Sequence, residues 1–139
     1  MNWIVWSFLS ALFAGATAIL AKIGVKDVDS NLATAIRTTV VLVFTWALAL
    51  STEQHEAIRS IPAKGWTFLV LSGLATGLSW LCYFRALQLG PASAVAPIDK
   101  LSVVFVIIFA WVFLGEGLTA SKVIGGLLIT IGAFTLAFF

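Results

Sequence analysis

Apolar residues along this chain come in long runs broken by short polar connectors. The runs lie at about 3 to 21, 32 to 50, 66 to 88, 92 to 114 and 121 to 139. Each approaches or exceeds the ~17 to 25 residues a helix needs to cross a bilayer. A lone strand in lipid would leave its backbone polar groups unpaired, so the pattern predicts five α-helical spans. The connectors are polar or turn-forming. Lys22 to Asn31 carries Lys26, Asp27 and Asp29, and Ser51 to Gly65 carries Glu53, Glu56, Arg59, Pro62 and Lys64. Gly90-Pro91 and Gly115 to Thr119 are the tight ones, built of residues that do not continue a regular helix.

Composition then narrows the class. Only 10% of the 139 residues are charged against 61% hydrophobic, where a soluble domain carries roughly a quarter charged residues. Spans of about 20 residues leave only short loops, with no room for a separate soluble domain. A net charge of +2 supplies no basic stripe for nucleic acid. The first run has no Lys or Arg before it and is too long for a signal-peptide core, so it is expected to stay as span 1. Cys82 is the single cysteine and reads as a packing residue. His55 lies in a polar loop without metal-ligand companions. No phosphate loop, metal cluster or paired nucleophile and base is present in the pattern, so neither an enzyme nor a cofactor is expected.

With the N-terminal face called A, Trp3, Trp6, Trp46, Trp66 and Trp111 fall toward A and Trp80 lies deeper or toward B. Such a belt marks one membrane interface. The intramembrane charges sort the other way, with Arg37, Arg85, Asp99 and Lys100 all toward B. Loop and boundary positives balance: Arg59, Lys64 and Lys122 on A, and Lys22, Lys26 and Arg85 on B. The positive-inside rule therefore selects no orientation. Either a fixed orientation escapes so simple a count, or the chain inserts both ways and pairs antiparallel with itself.

Polar stripes at helical spacing mark four of the spans: Ser7, Ser10, Ala14 and Thr17; Thr34, Thr38 and Thr45; Ser72, Thr76, Ser79 and Tyr83; and Asp99 with Ser102. Span 5 carries only Gly125, Gly126, Thr130 and Gly132, so four helices read as wet on one face and the fifth as dry. Small and hydroxyl residues are also the ordinary packing surface of membrane helices, and Gly73 with Gly77 has close-contact spacing. An Asp, Lys or Arg deep in a span needs a partner or a wet cavity. Asp99 could pair with Arg37, or Arg37, Asp99 and Lys100 could line a polar cavity open toward B. A breakable ion pair is compatible with both, as a gate. Trp80 and Tyr83, three residues apart, are either interfacial anchors or an aromatic wall for an organic solute. Glu116 reads as a solvated turn residue. The excess of positive charge in the cluster favours an anionic or zwitterionic group.

The run Tyr83-Phe84-Arg85-Ala86-Leu87, then Ala92 to Pro97, Leu101, Leu114-Gly115-Glu116, Leu118-Thr119 and Gly125-Gly126 through Gly132-Ala133 resembles the EamA domain of the drug/metabolite transporter superfamily. Ala35-Ile36-Arg37 resembles the start of its second helix. The resemblance covers nearly the whole chain and implies a single-domain, five-helix transporter, one half of an inverted-repeat ten-helix arrangement. It also implies a bacterial inner membrane, and a central cavity surrounded by the first four helices of each half. Two positions depart from the common pattern: Val103 stands where many members have proline, and Asp99-Lys100 replaces small or polar residues. The distantly similar small multidrug resistance proteins use an acid in their first helix, where this chain has none. Asp99 is then the one candidate coupling acid.

These readings lead to a secondary transporter or facilitator of a small polar or amphipathic organic solute, an integral membrane protein working by alternating access in an antiparallel homodimer among membrane lipids. Arg37, Asp99 and Lys100 are expected to bind or gate, with Thr76, Ser79, Trp80 and Tyr83 lining the route. A non-transporting subunit needing a different partner, and a channel or lipid scramblase, are the rivals.

Overall fold

The structure is a computed structural model describing residues 2–52 and 54–139, and among these it is all-helical. The helices are α1 (Trp3–Gly24), α2 (Ser30–Ser51), α3 (Ala63–Leu89), α4 (Ala92–Asp99), α5 (Ser102–Leu114) and α6 (Ala120–Phe138), with a 3-10 segment at Gln54–Ser60 in the loop before α3. Taken as one span, α4 and α5 run from Ala92 to Leu114, and the described residues thus contain 5 helices long and apolar enough to cross a membrane. Glu53, in the second connector, lies outside the described residues.

Local chemistry explains the boundaries. Asp29 caps α2, its carboxylate accepting from the N–H groups of Asn31 at 2.9 Å and Leu32 at 3.1 Å. Thr119 caps α6 by accepting from the Lys122 N–H. Gly115 ends α5 in the left-handed region, at φ +66°, a conformation glycine adopts without steric cost. The Glu116 N–H then reaches back to the Ala110 carbonyl at 3.2 Å.

The fourth span departs from the continuous helix that its apolar run predicts. Pro97 lies inside α4, and a proline has no N–H to offer the carbonyl four residues back. Around it the ladder tightens into i→i−3 bonds, from the N–H of Lys100 to Pro97, of Leu101 to Ile98, of Val103 to Lys100 and of Val104 to Leu101, all at 2.9–3.1 Å. The helix is interrupted at Lys100-Leu101.

The chain forms two compact units, Met1–Lys22 with Leu89–Phe139, and Ile23–Gln88. In the first, α4 and α5 pack on α6, where Gly126 and Ala133 are buried and Ile107 closes on Gly126. Lys22 donates to the Gly90 carbonyl at 2.8 Å, tying the end of α1 to the turn before α4. In the second, the last turns of α3 close over the 25–28 turn: Leu87 and Val25 are fully buried, and Gln88 donates to the Val28 carbonyl at 2.7 Å and to that of Val25 at 3.4 Å. Most large apolar side chains remain exposed along the helices. Covering them falls to lipid or to other protein.

Candidate functional site

Two groups of charged side chains within the spans, one in each unit, make up the candidate site. In the first unit Asp99 is the last residue of α4, eighth from its start, and at 1.5 Å per residue lies ~10 Å along the span. Its carboxylate pairs with Lys100 at 3.2 Å, the Asp99 side chain being 35% exposed and the Lys100 side chain 55%. Consecutive residues of a regular helix point about 100° apart and do not face each other. Here Lys100, in the turn that follows α4, reaches back to the carboxylate one residue before it. Lys100 also borders an open apolar groove of about 410 Å³ between α4 and α6, lined further by Ala96, Pro97, Ile129, Gly132, Ala133 and Leu136.

In the second unit Arg37 is the eighth residue of α2. Its guanidinium carbon lies 4.4 Å from the centre of the Trp80 ring and 5.4 Å from that of Phe84. Both distances fall within cation–π range. Phe84 is buried while Arg37, Trp80 and Tyr83 are half-buried, so the ring of Phe84 is a fixed support and that of Trp80 a partly open one. Trp80 therefore holds a cation of its own chain, a role that its sequence position did not disclose. Phe84 was missed as a site residue; its place four residues after Trp80, one helical turn on, was the available signal.

The hydroxyl stripes are largely occupied from within. Thr34, Thr38 and Thr76 donate to the carbonyls four residues back, at 2.7–2.9 Å, and Thr45 does the same at 2.8 Å. Such a hydroxyl keeps its lone pairs as acceptors but has spent its donor. Thr76 and Ser79 are exposed on α3. On the same helix a side chain at Gly73 or Gly77 would meet nothing within 4 Å, so no other helix of this unit uses their close-contact spacing.

Two further polar contacts lie outside these groups. Arg85 is exposed and donates to the Gln88 side chain at 2.9 Å. Glu116, expected as a solvated turn residue, is half-exposed and pairs with Lys122 at 3.0 Å.

Five helices able to span a bilayer, with ionisable side chains set within them, define an all-helical integral membrane protein. The sequence profile of the EamA-like transporter family matches residues 1–138, and the chain belongs to that family. It is 51% identical over 138 residues, 99% of this chain and 98% of the relative, to a Sinorhizobium sp protein named "Uncharacterized transporter in cobO 3'region". No solved structure matches. Membership identifies the protein as a transporter, and the activity it points to is transport, not catalysis.

Proposed function

We propose that this protein is a secondary transporter or facilitator of a small polar or amphipathic organic solute. It works by alternating access as an antiparallel, dual-topology homodimer in a bacterial inner membrane. The observation that carries the reading is the tightened, irregular turn of the fourth span at Lys100-Leu101, with a charged pair beside it. Irregular points in membrane helices are where transporters place substrate and coupling-ion sites, because polar side chains at such a point are best served by facing protein or water. A pair so exposed and so local is easily opened, which suits a gate.

Arg37 on its aromatic support is the second binding element, and Thr76, Ser79, Trp80 and Tyr83 line the route. Asp99 is the acid available for proton coupling. The balanced loop charges support insertion in both orientations. The Sinorhizobium relative is matched over 98% of its own length, and an odd number of spans lets two copies of opposite orientation complete an inverted repeat.

The test is C-terminal topology, read with parallel fusions to one reporter active only in the cytoplasm and one active only outside it. Comparable activity from both is expected. Activity from one alone overturns self-inversion and turns attention to an oppositely oriented partner, with copurification of a second five-span protein as its mark. Reconstituted protein is expected to show saturable solute uptake; non-saturating flux, or flux of lipid, indicates a channel or scramblase.

A further inference from the structure

The two charge groups differ in a way that points to the chemistry of the ligand. Asp99 and Lys100 neutralise each other. Arg37 has no such partner: among the described residues of its unit no carboxylate pairs with it and no acceptor takes a hydrogen bond from it. The acid nearest to it in sequence, Asp29, is spent on the N–H groups of Asn31 and Leu32. Yet Arg37 sits a turn and more inside a span, where an uncompensated cation is costly. Trp80 and Phe84 relieve part of that cost, and they do so through ring faces that lie 4.4 Å and 5.4 Å, centre to guanidinium carbon, from Arg37.

A cation–π contact of this kind occupies no carboxylate-type acceptor and leaves the guanidinium's hydrogen bonds to be made. The five N–H groups of the guanidinium lie in its plane, arranged as a fork that matches the paired oxygens of a carboxylate or phosphate. On the same two helices Thr34, Thr38 and Thr76 have spent their donors on carbonyls of their own helices, which leaves Arg37 as the charged donor. The unit thus holds a permanent cation, oriented by two rings, with its donors uncommitted and an aromatic surface alongside.

We infer that Arg37, mounted on Trp80 and Phe84, is the receptor for an oxyanion, a carboxylate or phosphate carried on an apolar body. The inference rests on the transport reading and names its substrate class: the oxyanion takes the fork while the apolar body lies against the exposed part of Trp80. Trp80 is a positioning residue, holding the guanidinium against its ring.

The experiment uses the purified full chain in phosphatidylcholine vesicles, with thermal unfolding read by intrinsic fluorescence against benzoate, phenyl phosphate and neutral benzamide. Vesicles containing phosphatidylglycerol form a separate arm. Benzoate or phenyl phosphate is expected to raise the unfolding midpoint and benzamide to leave it unchanged. Arg37→Gln should weaken anion binding about ten- to a hundredfold, the loss of one charge-assisted pair. Arg37→Lys, which keeps the charge and loses the fork, should fall between. It also serves as the folded comparison where the glutamine variant fails to insert. Lys64→Gln, at an exposed cation in the first turn of α3, should bind as the parent does. An Arg37-dependent response to phosphatidylglycerol alone supports the oxyanion and assigns it to a lipid headgroup.

Equal stabilisation by benzamide, unaltered anion binding in both Arg37 variants, or no response to any of the three anions overturns the proposal. Binding is measured without flux, so the two readings fail separately. Arg37-dependent binding without uptake of the bound anion sinks transport and keeps the receptor; uptake indifferent to Arg37 does the reverse.

Discussion

The two units hold charge inside apolar helices by opposite means. In one, an acid and a base adjacent in sequence meet beside a tightened turn of the helix and cancel. In the other, a single guanidinium rests on two rings and keeps its charge. A self-neutral pair has its counter-charge built in, whereas Arg37 is supported by rings that carry no charge, so ionisable residues in the same kind of helix are compensated in two ways. The division also predicts which substitutions hurt folding and which hurt function.

Phe84→Ala should have the largest effect on stability. The ring is 3% exposed, and emptying such a site costs about 3–5 kcal/mol, while removing one of the two supports of Arg37. Phe84→Leu should cost less, about 1.5 kcal/mol or below, and thermal unfolding in detergent separates the two. Equal effects would mean that Phe84 contributes ring chemistry and little packing.

The paired charges should behave non-additively. Asp99→Asn strands Lys100 and Lys100→Gln strands Asp99, each costing on the order of 1–3 kcal/mol for a charge left alone in a span. The double variant should recover most of that stability and still lose uptake. Stability equal in all three variants would place the pair in water and remove the contrast with Arg37. Proton coupling is read from the same set: a pH-independent uptake rate in both the parent and Asp99→Asn would remove Asp99 as the coupling acid.

Trp80→Leu should cost less, about 0.5–2 kcal/mol for the lost cation–π contact, and its main effect should be on binding. A Trp80→Phe variant that keeps anion affinity while Trp80→Leu loses it would show that a ring face is required and the indole N–H is not.

The spans were legible in the sequence because each is a run of about bilayer length bounded by charges or turn residues. The interruption of the fourth span was not, because Val, Ile and Phe continue the apolar pattern beyond it. Its one signal was Pro97, whose missing N–H breaks the ladder within a sequence that otherwise reads as continuous helix. The pairing of Asp99 with Lys100 was not legible either, since helical periodicity relates residues three and four apart and not chain neighbours. Arg37 and Trp80 were each conspicuous alone, but no periodicity relates residues 43 positions apart on different helices. Their contact is a tertiary fact.

Glu116 and Lys122 supply the internal reference for these charges, and the smallest predicted effect. Their 3.0 Å pair bridges the α5–α6 loop and the first turn of α6 in the same unit as Asp99 and Lys100, at nearly the same separation. At the end of a span such a pair is bathed by solvent, and exposed pairs contribute roughly 0.2–1 kcal/mol. Glu116→Gln should therefore lower stability by a few tenths of a kcal/mol, an effect that shrinks further at high salt as the Debye length falls to about 3 Å at 1 M. The ratio of the Asp99→Asn effect to the Glu116→Gln effect then measures what the span adds to an ion pair of similar length. A ratio near one would put both pairs in the same solvent; a ratio of several, insensitive to salt, would put Asp99 in a surrounding where opening the pair is a gated step.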